Sequence, residues 1–345
     1  MAAQAKDESA ATPSEERQEE EEDTNIINAV VSKLPTRQGW SQSLVLYKNY
    51  WINPLFVQGI LRLHTTFKPR HDDIILASNP KCGTTWMKAL TFTITNRSRY
   101  ELGNNDHPLL SRHPQELVPS LEIFHRHKND DSLINSLEAL PSPRLLPTHM
   151  PLSLFPPLSS SSIAASARIV YVCREPKDAF VSLWHFVSKY RRGGEHSTDN
   201  LESALDMFIQ GFSPYGPFWD HCLEYWRQSI SSPDNILFLK YEDMMSEPVK
   251  HVVRLATFLG VPFSVKEEED GVPEEVVRFC SFDNLSSIRV NKSGEFVRVQ
   301  DRVVDKSSFF RKGVVGDWVN HMSEEMGTKI DRVMEEKLKG SGLVL

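Results

Sequence analysis

The sequence predicts an α/β fold of three layers, α/β/α, with helices on both faces of a central parallel sheet. Three observations carry this. The short apolar runs Ile74-Ile75-Leu76-Ala77, Arg168-Ile169-Val170-Tyr171-Val172-Cys173 and Ile236-Leu237-Phe238-Leu239 each end in a polar turn. Each gives way to a helical stretch of roughly 10–15 residues, the signature of βα units. The runs are continuously apolar rather than alternating, as strands buried on both faces must be.

Residues 1 to about 35 are rich in Ala, Ser and Glu and predict a disordered acidic tail, with 36–345 forming one domain. From Trp40 to Phe67 aromatic and aliphatic residues become frequent, which reads as an ordered entry segment with one helix near 54–66. The first apolar run ends in Asn79-Pro80-Lys81-Cys82-Gly83 and opens a helix from Thr84, with Trp86, Met87, Leu90 and Ile94 on its apolar side. Arg144-Leu145-Leu146, ending at Pro147-Thr148-His149, reads as a further strand. The second run stops at Arg174-Glu175 and opens a helix with Pro176 in its first turn. The third stops at Lys240-Tyr241-Glu242-Asp243 and leads to a helix over about 247–259. Ligands of open parallel sheets bind beyond the carboxyl ends of the strands. Lys81, Thr84, Thr85, Arg174 and Tyr241 are stationed there, with His149 at the end of the further strand.

Charge and cysteine usage narrow the class. Residues 1–23 hold nine acidic side chains against Lys6 and Arg17, which accounts for the whole formal charge of −7. The body of the chain is therefore near neutral and can hold a local basic pocket for an anionic ligand. No basic run with interleaved aromatics predicts a nucleic-acid partner. Cys82, Cys173, Cys222 and Cys280 are scattered, without metal-ligand spacing, and suit a reducing compartment. The polar, acidic N-terminal segment does not read as a secretory signal, and no apolar stretch reaches the 18 or so residues of a membrane span. The N-x-S triplets at Asn96, Asn284 and Asn291 are then not expected to be glycosylated. The expectation is a cytoplasmic protein without a membrane partner.

The segment Pro80-Lys81-Cys82-Gly83-Thr84-Thr85-Trp86 joins a strand to a helix. Gly83 permits a tight turn, the amides after it face the mouth of the loop, and Lys81 adds a cation, so an anion can sit at the helix N-terminus. Because Lys precedes the single Gly, this is not the nucleoside-triphosphate loop G-x-x-x-x-G-K-[ST], which counts against a kinase or NTPase. An ordinary βα turn would look much the same in isolation. Arg174, with Ser182 eight residues on, could grip a phosphate or simply pair with Asp178. Phe310-Arg311-Lys312-Gly313-Val314-Val315-Gly316-Asp317-Trp318 offers two cations and two glycines for close approach to a phosphate, or a basic loop before a last helix in which Asp317 is the N-cap.

Together these segments resemble the cytosolic sulfotransferase family, in the family's order and from about 45 to 340. P-K-x-G-T-T-W is similar to its 5′-phosphosulfate loop, with Cys82 where Ser is common; a thiol at a helix N-terminus suggests a lowered pKa and a redox-sensitive site. Arg174 and Ser182 resemble its 3′-phosphate site, Arg311, Lys312 and Gly313 its R-K-G-x-x-G-D-W segment, and Tyr241 the position at the adenine end. Tyr50-Trp51, the segment His113-Pro114-Gln115-Glu116-Leu117-Val118-Pro119, and Phe282 resemble the plant branch. The resemblance implies a P-loop-nucleotide-hydrolase-like sulfotransferase fold. It also implies 3′-phosphoadenosine 5′-phosphosulfate (PAPS) as co-substrate without a metal, and Lys81, Cys82, Gly83, Thr84, Thr85, Trp86, Arg174, Ser182, Tyr241, Arg311, Lys312 and Gly313 as its binding residues.

The implied reaction needs a base for the acceptor hydroxyl, and imidazole is the natural choice at neutral pH. His149, in a T-H-x-P context, matches the family's catalytic His; His185 is the alternative, on the same helix as Ser182. Animal members often carry Lys before the Thr-His pair where this chain has Pro147, which leaves Lys81 as the main cation for the leaving oxygen. The acceptor is expected to be a small hydroxylated molecule; plant members act on flavonols, hydroxyjasmonates, steroids and desulfo-glucosinolates. Its pocket is expected among Tyr47, Trp51, Phe56, Phe124, His125, Phe155, Trp184 and a lid at 291–305. A monomer or homodimer fits, although the animal dimer motif K-x-x-x-T-V-x-x-x-E is not evident. Other readings are a non-catalytic PAPS-binding protein and a membrane-anchored carbohydrate or protein sulfotransferase, against which the missing anchor counts.

Overall fold

The computed structural model describes residues 13–40, 42–124, 137–156, 167–189, 201–299 and 302–345. Helix α1 (Pro13–Ser32) precedes an antiparallel sheet of β1 (Thr36–Gln38), β2 (Ser43–Tyr47) and β3 (Tyr50–Ile52), then helix α2 (Pro54–Thr66). Strand β4 (Ile74–Ser78) feeds α3 (Thr84–Asn96), followed by the one-turn helices α4 (Pro114–Leu117) and α5 (Leu121–Phe124) and strand β5 (Leu145–Thr148). Strand β6 (Arg168–Cys173) feeds α6 (Pro176–Lys189), with α7 (Leu201–Ile209) and α8 (Phe218–Ser231) beyond. Strand β7 (Ile236–Lys240) runs directly into α9 (Tyr241–Ser246) and α10 (Pro248–Phe258). Helices α11 (Val272–Phe279) and α12 (Phe282–Ser287), the hairpin β8 (Glu295–Val299) and β9 (Arg302–Asp305), and helix α13 (Glu324–Leu338) complete the layers.

The central sheet has the order β5-β4-β6-β7, every pair parallel. Side chains of a strand alternate between faces, and here each face meets its own helical layer. Ile75, Ala77, Ile169, Tyr171 and Cys173 pack with Ile60, Phe180, Tyr225 and Ile330 from α2, α6, α8 and α13. Ile74, Leu76, Val170, Val172 and Leu239 pack with Met87, Leu90, Val252 and Leu255 from α3 and α10. Two filled faces explain why the strands read as continuous apolar runs. The chain passes from β4 to β5 on one side, then crosses to β6 on the other. The carboxyl end of β4 is thus the point where the strand order reverses, and a crevice opens there.

Two elements differ from the expectation. The segment read as a tail to residue 35 is helical over Pro13–Ser32. Pro sits at its start and Glu, a good helix former, dominates its sequence. Val31 is buried and Ile27 half-buried against the core, while Asn28 and Thr24 accept hydrogen bonds from Gln58 (2.8 Å) and Arg62 (3.2 Å) of α2. The entry segment carries the expected helix, α2 at Pro54–Thr66, and adds before it β2 and β3. These form a three-stranded sheet with β1 and turn through Lys48 and Asn49, both in the left-handed region.

A buried ion pair anchors the base of the sheet. Arg144, fully buried, donates from Nε and Nη2 to the two carboxylate oxygens of Asp73 at 2.7 Å each, and from Nη2 to the Lys68 carbonyl at 2.8 Å. The residues immediately before β4 and β5 are thereby locked together. Arg144→Ala would strand the Asp73 carboxylate in the interior. We expect it to lower unfolding stability by about 3 kcal/mol, measured as a fall in urea midpoint with unchanged slope.

Candidate functional site

The loop after β4 is built as an anion cradle. Lys81 takes a positive φ of 71° and Gly83 one of 103°, and Gly83 is the N-cap of α3. A Cβ on Gly83 would stand 2.9 Å from the Tyr241 ring, so the position requires glycine both for its conformation and for its closeness to α9. Thr84 and Ser78 share a hydrogen bond between hydroxyls at 2.6 Å, which ties the loop back to its strand. The free amides of the first α3 turn face a cavity of about 440 Å³.

Of the sequence-predicted residues, Lys81, Gly83, Thr84, Thr85, Trp86, His149, Arg174, Ser182, Tyr241, Arg311, Lys312 and Gly313 all line this cavity. Five separate segments of the chain are thus brought to one place. Cys82 is the exception. Its side chain is fully buried in the core beneath the loop, with Sγ 4.0 Å from the Pro80 carbonyl. Burial pushes its thiol pKa well above the usual value, so the lowered pKa expected of a helix N-terminus is not found. The thiol is enclosed and protonated, which also removes the basis for a redox-sensitive phosphate loop.

The cationic end of the cavity shows what it can hold. Arg174 lies with its guanidinium 4.7 Å from the Tyr241 ring centre, pairs with buried Asp178 at 3.4 Å and donates to the Val314 carbonyl at 2.8 Å. Asp178 also accepts from the backbone N–H of Gly316 (2.7 Å) and Trp318 (2.9 Å), fastening the Arg311–Trp318 segment over α6. Arg311 pairs with Asp317 at 2.5 Å, and Gly313 is forced by the Phe282 ring, 2.3 Å from where its Cβ would be. Asp317 lies in a one-turn 3-10 helix after Gly316, and the last helix is capped instead by Ser323. The Nε of both Arg174 and Arg311 is buried without a partner among the described residues. Two orphaned guanidinium N–H groups beside a phosphate-type loop fit a nucleotide carrying anionic groups at both ends. Lys81 places its ammonium 4.0 Å from the Phe186 ring centre and 5.8 Å from that of Phe309. Burial, reinforced by Arg174, Arg311 and Lys189, lowers its pKa to about 7.

His149, just past the end of β5, lines the same cavity beside the end of β4. Its Nδ1 lies 2.8 Å from the Ser78 carbonyl. A carbonyl can only accept, so Nδ1 carries the proton and Nε2 is left as a basic lone pair. Burial first of all lowers its pKa, so the ring is neutral at neutral pH. The backbone is held on both sides: its N–H donates to Glu122 Oε1 at 2.5 Å, and its carbonyl lies 3.0 Å from His221 Nε2. His185, the alternative base, does not line the main cavity. It packs beside Trp184, meets His321 at 3.3 Å, and burial pulls its pKa to about 4.

The remaining walls are mostly apolar, with Leu55, Phe56, Phe186, Tyr215, Phe296, Val304 and Phe309. Phe56 and the 291–305 stretch supply lining residues as expected, whereas Trp51 packs against Phe212, and Phe155 against Phe67 in the core. Tyr47 and Trp184 are half-buried away from the cavity, the Phe124 side chain is not described, and His125 lies outside the described residues. Sequence reasoning missed a polar strip of Gln115, Ser120 and Glu122 on the same wall as His149. Ser120 and Glu122 precede the histidine by about thirty positions and belong to no local pattern, and Gln115 lies in the His113–Pro119 segment, which by itself signals no site chemistry.

A neutral imidazole sharing a mostly apolar cavity with a nucleotide-type anion cradle, at the reversal point of a parallel sheet, is the arrangement of a group-transfer enzyme. Comparison with known proteins narrows the class. The sulfotransferase domain family matches residues 71–342. Cytosolic sulfotransferase 10 of Arabidopsis thaliana is 42% identical over 336 residues, covering 96% of this chain and 98% of its own length. Among solved structures, an Arabidopsis thaliana sulphotransferase is 36% identical with a TM-score of 0.70, covering 92% of this chain and 94% of that one. A mouse sulfotransferase complexed with PAP is 25% identical with a TM-score of 0.62, covering 87% and 96%. The chain belongs to the sulfotransferase family and is a sulfotransferase enzyme.

Proposed function

We propose that the protein transfers a sulfonate group from PAPS to a hydroxyl of a small molecule, in line and without a covalent enzyme intermediate. The products are a sulfate ester and adenosine 3′,5′-bisphosphate (PAP). The observation that carries this reading is the neutral His149, its Nε2 free, sharing one cavity with Lys81 and the two arginines whose Nε groups lack partners. The 25%-identical mouse relative binds PAP, which supports the nucleotide. Lys81, the amides after Gly83 and the Thr84 and Thr85 hydroxyls would hold its 5′ end. Arg174, Ser182, Arg311, Lys312 and Gly313 would hold the 3′-phosphate, with Trp86 and Tyr241 beside the base.

PAPS supplies an activated sulfonate when bound. His149 Nε2 takes the acceptor's hydroxyl proton, its tautomer fixed by the Ser78 carbonyl. Lys81 stabilises the charge that develops on the leaving phosphate oxygen. The mostly apolar walls suit an acceptor with a largely apolar body, of the flavonoid, hydroxyjasmonate or steroid type. Relatives named as cytosolic support a cytoplasmic site of action. The test is transfer from radiolabelled PAPS across a panel of hydroxylated acceptors. Labelled product supports the reading, while failure of the protein to bind PAP overturns it.

A further inference from the structure

The polar strip on the His149 wall has an incomplete hydrogen-bond account. Glu122 is buried, lines the cavity, and uses only Oε1: that oxygen accepts from the Thr148 hydroxyl at 2.7 Å and from the His149 N–H at 2.5 Å. Its Oε2 is buried with no partner among the described residues. An unsatisfied buried carboxylate oxygen is costly, and such exceptions point to an occupant. Next to it, Ser120 accepts from Lys88 Nζ at 3.0 Å, and Lys88, fully buried, also donates to Gln115. Lys88 Nζ is the donor of that bond, so the Ser120 oxygen accepts and keeps its own O–H to offer. Gln115 in turn donates to Thr85 at 3.0 Å, so the strip is braced to the phosphate-type loop.

We propose that Glu122 Oε2 and the Ser120 hydroxyl form a subsite for a second, neutral hydroxyl of the acceptor, close to the one that His149 deprotonates. This deepens the sulfonate-transfer reading and rests on it for the identity of the occupant as acceptor. The chemistry selects a hydroxyl because the strip presents one acceptor and one donor. A hydroxyl can donate to Oε2 while accepting from Ser120. An ether oxygen cannot donate, and a carboxylate would meet the Glu122 charge. The acceptor class is therefore a vicinal diol or catechol rather than an isolated alcohol or phenol. Lys88, bonded to both Gln115 and Ser120, fixes the Ser120 orientation; it is a positioning residue.

The experiment measures binding rather than turnover, so that it stands apart from the transfer assay. Dissociation constants are determined by calorimetry for a vicinal naphthalenediol, the corresponding naphthol and the diol's monomethyl ether, each on the protein saturated with PAP. The expected result is that the diol binds about tenfold tighter than the naphthol, with the methyl ether no better than the naphthol. In Glu122→Gln the diol-to-naphthol ratio collapses toward one, whatever happens to absolute affinity or rate through the His149 backbone contact. Ser120→Ala lowers the same ratio by a smaller factor and serves if Glu122→Gln does not fold. Equal affinities for the diol and the naphthol in the parent protein, or a ratio that neither variant changes, would overturn the proposal. Diol preference without transfer to any acceptor would leave the subsite standing and remove the catalytic reading instead.

Discussion

His149→Ala is expected to lower sulfonate transfer by about three orders of magnitude while PAP affinity stays within about threefold of the parent. The substitution removes the imidazole and little else. The His149 main chain remains held by Glu122 on one side and by His221 on the other. His221 Nδ1 in turn lies 2.8 Å from the Tyr171 hydroxyl, and burial takes the His221 pKa to about 3, so this supporting relay is uncharged. The strand end therefore keeps its position, and the loss reads as chemistry. The parent protein's pH profile gives a second check. Burial depresses the His149 pKa, so the active neutral form persists to more acidic pH than the ordinary imidazole value of about 6.5. The acid limb of kcat/KM should lie below that value. An unchanged acid limb in His149→Ala would place the base elsewhere. His185 is a poor substitute, because it lies outside the main cavity with a pKa of about 4.

How much of this was legible in the sequence depends on whether a feature is local. The strands at 74–78, 168–173 and 236–240 were readable because burial on both faces writes a continuous apolar run. The helix at Thr84 was readable from the Gly83 turn and from the apolar side formed by Trp86, Met87, Leu90 and Ile94. Helix α9 was missed because Tyr241 opens it with no N-cap side chain between it and β7. The β2–β3 hairpin was missed because Lys48-Asn49 lacks the glycine that usually marks such a turn, even though both residues adopt positive φ. At the site, the cationic residues stood at strand ends and in glycine-bearing loops, where sequence alone signals chemistry. Glu122 and Ser120 sit on either side of the start of a one-turn helix, and Lys88 in the middle of a longer one. Only tertiary packing brings them beside His149, so no spacing announces them. The Cys82 thiol failed for the opposite reason: helix N-terminal position is a local cue, and burial among core side chains overrode it.

Lys81 should make PAP binding take up a proton. Its ammonium is surrounded by Phe186, Phe309 and three further cations, with no ion pair to a carboxylate among the described residues, and its pKa falls to about 7. In the free protein the residue is thus about half neutral at pH 7 and mostly neutral above it. An anionic phosphate at the loop favours the charged form and raises the pKa. Binding then draws in roughly half a proton near pH 7 and approaches one near pH 8 to 9. Affinity for PAP should accordingly weaken with rising pH by up to about tenfold per unit in that range. Calorimetry in buffers of different ionisation enthalpy measures the uptake directly. Lys88, which burial also takes to about 7, is a candidate for a false signal, but it faces Gln115 and Ser120. Lys81→Met separates the two: it should abolish the uptake and flatten the pH dependence. The same variant should lower kcat by about a hundredfold or more, since the charge on the leaving oxygen then has no mobile cation beside it. Proton uptake that survives in Lys81→Met would assign the titration to another group and remove Lys81 from the phosphate site.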